Sequence, residues 1–325
     1  MTPPFKPWDN PSLSHTTESN MKIGVMLGAS GPSANLAAHI ESAKTAEADG
    51  FDSVWMANIF GLDAISTLGF AGRETSRIKL GTAVTPTYPR HPTAIAQQAL
   101  TTAAACDGRF VLGIGLSHKV VIENMLGHSY DKPARHMREY LSVLAPLLRG
   151  EAVNYNGEQY RVNGFSINFA EMPKVPLVVA ALGPVMLDLT GRLADGTITW
   201  MTGPATLESH IIPGISKGAA AEGKPQPSVI VGMPIVLTND EDGARNFIGQ
   251  TLAMYGQLPS YRAMLDKEGA AGPADLAMVG DEATLRAGLA RLRDMGVTDF
   301  GAAISASDSE THARTQAFLK AEASA

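Results

Sequence analysis

The stretch PLVVAALGPVMLDLTGRLADGTITWM, residues 176–201, places two apolar, β-branched runs on either side of a proline-started amphipathic segment. Residues 176–182 and 197–201 lack the polar alternation of a strand with one wet side, so they read as strands buried on both faces. Residues 184–193 read as a helix, with Pro184 at the first-turn position where its missing N–H is not needed. Strand, helix, strand in that order is a βαβ unit, and its two strands lie parallel. The same alternation continues outward. Further strands are expected over residues 22–27, 53–57, 78–84 and 110–116 on one side, and 230–237 and 299–304 on the other. Helical patterns cover 33–49, 92–106, 133–149, 240–255, 281–295 and 309–323, with Gly50 and Gly150 placed as C-terminal caps. Eight strands alternating with helices indicate a (β/α)8 TIM barrel over residues 21–325, a doubly wound open sheet being the alternative.

Two segments interrupt the alternation. Residues 151–173, after the fourth helix, alternate polar and apolar around Asn-Gly turn signals, as a small hairpin does. Residues 256–280, after the seventh strand, form a Pro/Gly/Ala-rich stretch read as helical.

Composition narrows the function. Of 325 residues 45% are hydrophobic and 18% charged, which excludes global disorder and implies extensive burial. Twenty-six basic against 32 acidic residues give a net charge of −6, with no basic stripe to meet nucleic-acid phosphates. Cys106 stands alone, and no Cys/His pattern points to a metal. No apolar run reaches the roughly 18 residues of a membrane span. Residues 1–20 are rich in Pro, Ser, Thr and Asn and read as a flexible extension, not a signal peptide, so a cytoplasmic protein is expected.

In a barrel the chemistry sits where strands run into the following loops. Those ends are small or apolar here: Leu27-Gly28 after the first strand, Met56-Ala57-Asn58 after the second, Gly113-Ile114-Gly115-Leu116-Ser117-His118 after the fourth. Such a rim suits a large flat ligand. No HExxH, GxSxG or paired-carboxylate signature is present.

At this point a resemblance enters. Gly81-Thr-Ala-Val-Thr-Pro86 with Arg90-His91-Pro92, Gly108-Arg-Phe-Val-Leu-Gly-Ile-Gly115, residues 176–184, Ala194-Asp195-Gly196, and Val279-Gly280-Asp281 leading to Gly296-Val-Thr-Asp299 follow in order over nearly all of the chain. Together they resemble the luciferase-like flavin and deazaflavin oxidoreductases. Ser117-His118-Lys119 with residues 133–140 is most similar to a mycobacterial-type subgroup that uses coenzyme F420.

The resemblance implies F420, or FMN in its place, bound at this rim. It implies a bulge with a non-prolyl cis peptide at Ala83-Val84 behind the fused ring, flanked by Gly115, Leu116 and Ser117. Asn58 would touch the ring edge. The cofactor phosphate needs backbone N–H donors, and helix starts offer them; Leu182-Gly183 and Thr202-Gly203 are the candidates, with Met201 lining the ring pocket. His118 stands where related sugar-phosphate dehydrogenases carry a Glu, and an imidazole titrating near 6.5 is suited to general acid–base work. The Asp-His pair of the family after the second strand is replaced by Asn58-Ile59, which favours reduction of an activated double bond or carbonyl over alcohol oxidation. Arg90 and His91 are read as bracing the bulge, and Arg135, His136 and Arg138 as a solvated or subunit-facing surface. His128 and Tyr130 are further candidates for substrate contact. Three functions remain open: an F420-dependent oxidoreductase acting on a small molecule, an FMN-dependent monooxygenase, and a non-catalytic flavin-binding barrel. A homodimer is expected in each case.

Overall fold

The computed structural model describes residues 21–28 and 34–324, so the expected extension over residues 1–20 lies outside the described residues. The strands are β1 (Lys22–Leu27), β2 (Ser53–Met56), β3 (Lys79–Thr82), β4 (Thr85–Pro86), β5 (Phe110–Gly115), β6 (Val153–Asn156), β7 (Arg161–Phe165), β8 (Leu177–Val179), β9 (Gly196–Trp200), β10 (Ser228–Leu237), β11 (Met278–Gly280) and β12 (Asp299–Ile304). Eight of them close a parallel ring in the order β1-β2-β3-β5-β8-β9-β10-β12. Closure is made by β12 on β1, with Lys22 opposite Asp299, and by β9 on β10, with Thr197 opposite Val229. This is the barrel, and the open sheet is excluded.

The ring closes because its strands are apolar on both faces: every residue of β2 is buried, as are nine of the ten in β10. Outward side chains form the main core against the helices. Inward ones form a separate cluster of Trp55, Val178, Ile198 and Ile230 that fills the lumen. Trp55 fits there because Gly81 on the neighbouring strand has no Cβ; one placed there would fall 2.2 Å from the indole ring.

The helices are α1 (Leu36–Ala48), α2 (Ala64–Arg73), α3 (Pro92–Ala105), α4 (Pro133–Leu148), α5 (Pro184–Leu193), α6 (Pro204–Thr206), α7 (Ile212–Ala221), α8 (Glu241–Thr251), α9 (Pro259–Glu268), α10 (Pro273–Leu276), α11 (Glu282–Asp294) and α12 (Ser309–Ala323). Most begin as their sequences dictate, on Asn35, Asp63, Asp281 or Asp308 as N-cap, or on a first-turn proline. Two helical stretches were not legible: α2, and the run from Pro204 to Ala221 with a π-turn in its middle. Each carries glycines, which disfavour a helix by about 1 kcal/mol apiece. Packing overrides that. A Cβ on Gly218 of α7 would lie 2.3 Å from the Asp188 carbonyl of α5, and one on Gly191 of α5 2.2 Å from that of Ile215, so the glycines let the two backbones touch.

Residues 151–173 form the expected hairpin, β6 antiparallel to β7. Its turn is held by Glu139 of α4, whose carboxylate accepts from the N–H groups of Glu158, Gln159 and Tyr160 at 3.1, 2.8 and 3.1 Å. Residues 256–280 are corrected in part: besides α9 and α10 they contain β11, which extends the sheet beside the upper half of β10. Three residues are too few to show a period.

Candidate functional site

The expected strand over residues 78–84 breaks after Thr82. The backbone steps out through a cis peptide at Ala83-Val84, at the position the resemblance implies, and re-enters as β4 beside Ile114 and Gly115. The step is pinned by Thr82, whose hydroxyl donates to the Gly113 carbonyl at 2.7 Å and accepts from its N–H at 2.8 Å. Glycine is required opposite. A Cβ on Gly113 would lie 1.9 Å from the Thr82 carbonyl oxygen, and one on Gly115 2.6 Å from Val84 and 3.3 Å from Ala180. Half-buried Ala83 and Val84 thus pack on the lumen cluster at the strand C-termini, with Gly115 directly behind them.

After β5 the chain passes half-buried Leu116 and turns at Ser117, which has φ +60°, the left-handed conformation that a non-glycine residue rarely adopts. That turn delivers His118. Burial pushes the His118 imidazole below its ordinary range, and its ring lies 5.6 Å from that of Tyr261. Ser117 is held from outside by Tyr130, whose hydroxyl donates to its carbonyl at 3.3 Å. Tyr130 stacks on Tyr88, and Tyr88 on His136, with ring centroids 5.3 and 3.9 Å apart. His136 is therefore no surface residue: it is buried, bonded to Thr87 and Gln159, and burial lowers its pKa to about 4. Arg135 does face solvent, paired with Glu158.

Asn58 is half committed. Its side-chain oxygen accepts from the Ala64 N–H at 3.0 Å and fixes the entry to α2, leaving its amide N–H2 for a ligand. Arg90 and His91, expected to brace the bulge, tie the loop after β4 to α2, α4 and α3. Arg90 pairs with Asp63 at 2.5 Å and its carbonyl accepts from Tyr140, while His91 caps α3. Burial pushes the Asp63 carboxyl up, but bonds from Ser66 and the charge of Arg90 outweigh it and hold the group below its usual range.

The two candidate anion sites differ. At α5, Gly183 is an extended N-cap with no side-chain capping bond, Pro184 has no N–H, and residues 183–185 are exposed. The N–H groups of Val185 and Met186 are the first-turn donors that a helix leaves unsatisfied. Leu182 is fixed behind them by His210, whose ring nitrogen bonds its carbonyl at 2.7 Å. At α6 the donors are taken: the Glu268 carboxylate, from the end of α9, accepts from the N–H groups of Ala205 at 3.0 Å and Thr206 at 2.7 Å. Thr202 is fully buried, and a Cβ on Gly203 would fall 2.3 Å from the Glu268 carboxyl carbon. Met201 is fully buried among Leu265, Ala270 and Leu276. Met201, Thr202 and Gly203, expected to meet a ligand, are all buried in this structure, Met201 against Leu265 of α9 and Gly203 against Glu268.

Sequence reasoning missed Tyr88, Tyr255, Tyr261 and Glu268. Tyr88 lies between two of the motifs, two residues after Pro86; Tyr255 ends the stretch expected as a helix, and Tyr261 and Glu268 lie in the insertion, where no motif exists to find them. Among the described residues, no group of three or more His, Cys, Asp or Glu side chains could hold a metal ion, and no helix is long and apolar enough to cross a membrane. Two cavities lie away from the mouth: about 230 Å³ at the N-terminal face beside Asp195 and Ser228, and a groove of about 500 Å³ between α2 and α3.

The sequence profile described as luciferase-like monooxygenase matches residues 19–314. A 5,10-methylenetetrahydromethanopterin reductase of Archaeoglobus fulgidus is 33% identical over 207 residues, 62% of this chain and 61% of that one. A Mycobacterium tuberculosis protein carried under the provisional name of coenzyme F420-dependent oxidoreductase is 30% identical over 256 residues, 73% of each chain. The structure of the coenzyme F420-dependent tetrahydromethanopterin reductase from Methanopyrus kandleri superposes with a TM-score of 0.73 at 20% identity, over 93% of this chain and 98% of that one, which shows a shared fold.

Proposed function

The chain belongs to the luciferase-like monooxygenase family, and from that premise we propose that it is a coenzyme F420-dependent oxidoreductase acting on a small organic molecule, in the reductive direction. The observation that carries the reading is the make-up of the mouth: an uncharged bulge backed by glycines, beside one helix N-terminus left open for an anion. The name of the mycobacterial relative supports the choice of cofactor.

When bound, the deazaflavin supplies hydride chemistry at C5 of its ring. The chain does the rest. Ala83 and Val84 would back the ring, with Gly115, Leu116 and Ser117 beside it, and the free amide of Asn58 would be available to its edge. Leu182, Gly183 and the following N–H groups hold the phosphate, where the partial positive charge of the α5 terminus favours an anion. His118 moves the proton that accompanies the hydride. Burial disfavours its protonated form, so the neutral ring is available as a base, a weaker one than free imidazole, and it donates only once protonated. Reduction should therefore speed up as pH falls toward the His118 pKa, and the reverse reaction as pH rises.

Titration with F420 and with FMN, followed by tryptophan quenching, tests the cofactor. Tight FMN binding without F420 binding would replace this reading with the monooxygenase. Bound, reduced F420 that no acceptor in a panel oxidises would make the chain a binding barrel. His118→Ala should lower turnover by about 10²- to 10⁴-fold; an unchanged rate removes His118 from the mechanism. The groove between α2 and α3, with Phe70 exposed on its edge, is the surface we assign to a second copy in a homodimer. We place this dimer in the cytoplasm.

A further inference from the structure

Tyr261 of α9 and Tyr255, in the turn before it, bring aromatic rings toward the loop that carries His118. Tyr261 lies 5.6 Å from His118, Tyr255 packs edge-on to Tyr261 at 5.5 Å, and Trp200 edge-on to Tyr255 at 6.2 Å. The four rings form one wall from the end of β9 to the loop after β5. Its polar atoms are unused. The Trp200 indole N–H is buried with no partner, and the Tyr255 and Tyr261 hydroxyls and the His118 ring take no hydrogen bond from any described residue. A buried polar group without a partner is rare, so the Trp200 N–H asks for one, while the two hydroxyls and the His118 ring stand free to meet a ligand. The wall is also without charge. Arg262 on α9 is engaged by Asp266 and the Ala270 and Ala271 carbonyls, and Glu268 by the α6 backbone. Nothing here would balance a phosphate or carboxylate.

The surroundings agree. Ile59 and Phe60 follow β2, Val120, Met125 and Leu126 lie on and just after a π-helical turn that follows β5, and Met254 precedes α9; all are large apolar side chains exposed by 42% to 73% in connections at the same end of the barrel. Exposed apolar side chains gathered at one end mark a site for an apolar ligand.

We propose that the α9 wall is the substrate side of the site and takes an uncharged, apolar carbonyl compound such as a cyclic ketone or enone, with the Tyr261 hydroxyl donating to its oxygen alongside His118. This rests on the oxidoreductase reading and adds a substrate class and a specificity residue to it. Glu268 positions the wall by holding the end of α9 against α6.

The test is ligand-observed NMR titration of the cofactor-free full chain with 2-cyclohexenone and, separately, glucose 6-phosphate. The enone should bind and the phosphate ester should not. Tyr261→Phe, which removes only an unpaired hydroxyl and leaves the ring packed, should weaken enone binding about threefold to tenfold, the range of one hydrogen bond. An unchanged affinity in Tyr261→Phe, no enone binding by the wild type, or tighter binding of glucose 6-phosphate would each overturn the proposal. A parallel F420 titration separates the two readings. Equal F420 affinity in wild type and Tyr261→Phe with unchanged enone affinity overturns only the wall; absence of F420 binding in the wild type overturns the function whatever the enone does.

Discussion

His136 makes stability depend on pH with a known sign. Its ring is 3% exposed, lies flat on Tyr88 with an interplanar angle of 4°, and bonds Thr87 at 2.9 Å and Gln159 at 3.2 Å. The Gln159 side-chain oxygen only accepts, so Nδ1 carries the proton and Nε2 accepts from the Thr87 hydroxyl. A second proton would force the Thr87 hydroxyl to accept instead of donate and would put a charge among Tyr88, Tyr140 and Tyr160. Burial therefore lowers the pKa from 6.5 to about 4, against the raising effects of Gln159 and Glu139. The unfolded chain takes up a proton near 6.5 while the folded one does not, so stability is lost as pH falls through that window. At about 1.4 kcal/mol per pH unit, the loss is about 2 kcal/mol between pH 7 and 5 and about 3 kcal/mol by pH 4. That is a sizeable part of the roughly 5–15 kcal/mol that holds a folded protein. His136→Phe keeps the stack on Tyr88 and cannot titrate. It should cost about 1–2 kcal/mol at pH 7 through the lost hydrogen bonds. Urea denaturation at a series of pH values, followed by intrinsic fluorescence, should show the difference between wild type and variant shrinking toward pH 5. Parallel curves would refute the buried, neutral imidazole. Because Tyr88 stacks on Tyr130, which holds Ser117, acid should also loosen the loop that carries His118.

Three further outcomes follow from the geometry. Gly183→Asp has room, since a Cβ there meets nothing within 4 Å; it should stabilise α5 by a few tenths of a kcal/mol as an N-cap, yet weaken F420 binding at least tenfold in a fluorescence titration, and unchanged affinity would move the phosphate elsewhere. Gly115→Ala presses on the end of the Val84 side chain and should cost about 1–3 kcal/mol while lowering F420 affinity, whereas Gly113→Ala strikes the Thr82 carbonyl and should abolish soluble expression; a well-folded Gly113→Ala would contradict the bulge geometry. Glu268→Gln removes the charge from two short bonds at the α6 start and should cost about 1–3 kcal/mol, with faster hydrogen exchange in α9 and weaker enone binding; retained protection of α9 would show that Glu268 does not hold it.

Much of the barrel was legible because strands buried on both faces leave continuous apolar runs, and because Asp281, Asp308, Pro92 and Pro184 mark helix starts locally. The hairpin was legible from its turns. What failed was whatever depends on distant neighbours. α7 is helical because glycines let it touch α5, not because its residues favour a helix. His136 sits beside Arg135 and Arg138 and reads as surface, yet the hairpin and Tyr88 close over it. Tyr261 belongs to no motif and meets His118 only after the insertion folds back over the mouth.

The two glycine-proline helix starts draw the division most sharply. Leu182-Gly183-Pro184 and Thr202-Gly203-Pro204 present the same local chemistry, a glycine N-cap and a proline without an N–H, after consecutive barrel strands. The sequence by itself determined that the first would begin a helix and offered the second only as a candidate donor site, since capping depends on a few adjacent residues. Only the tertiary structure decided which stays open to an anion. Glu268, more than sixty residues further along, satisfies the second with its own carboxylate and leaves the first exposed.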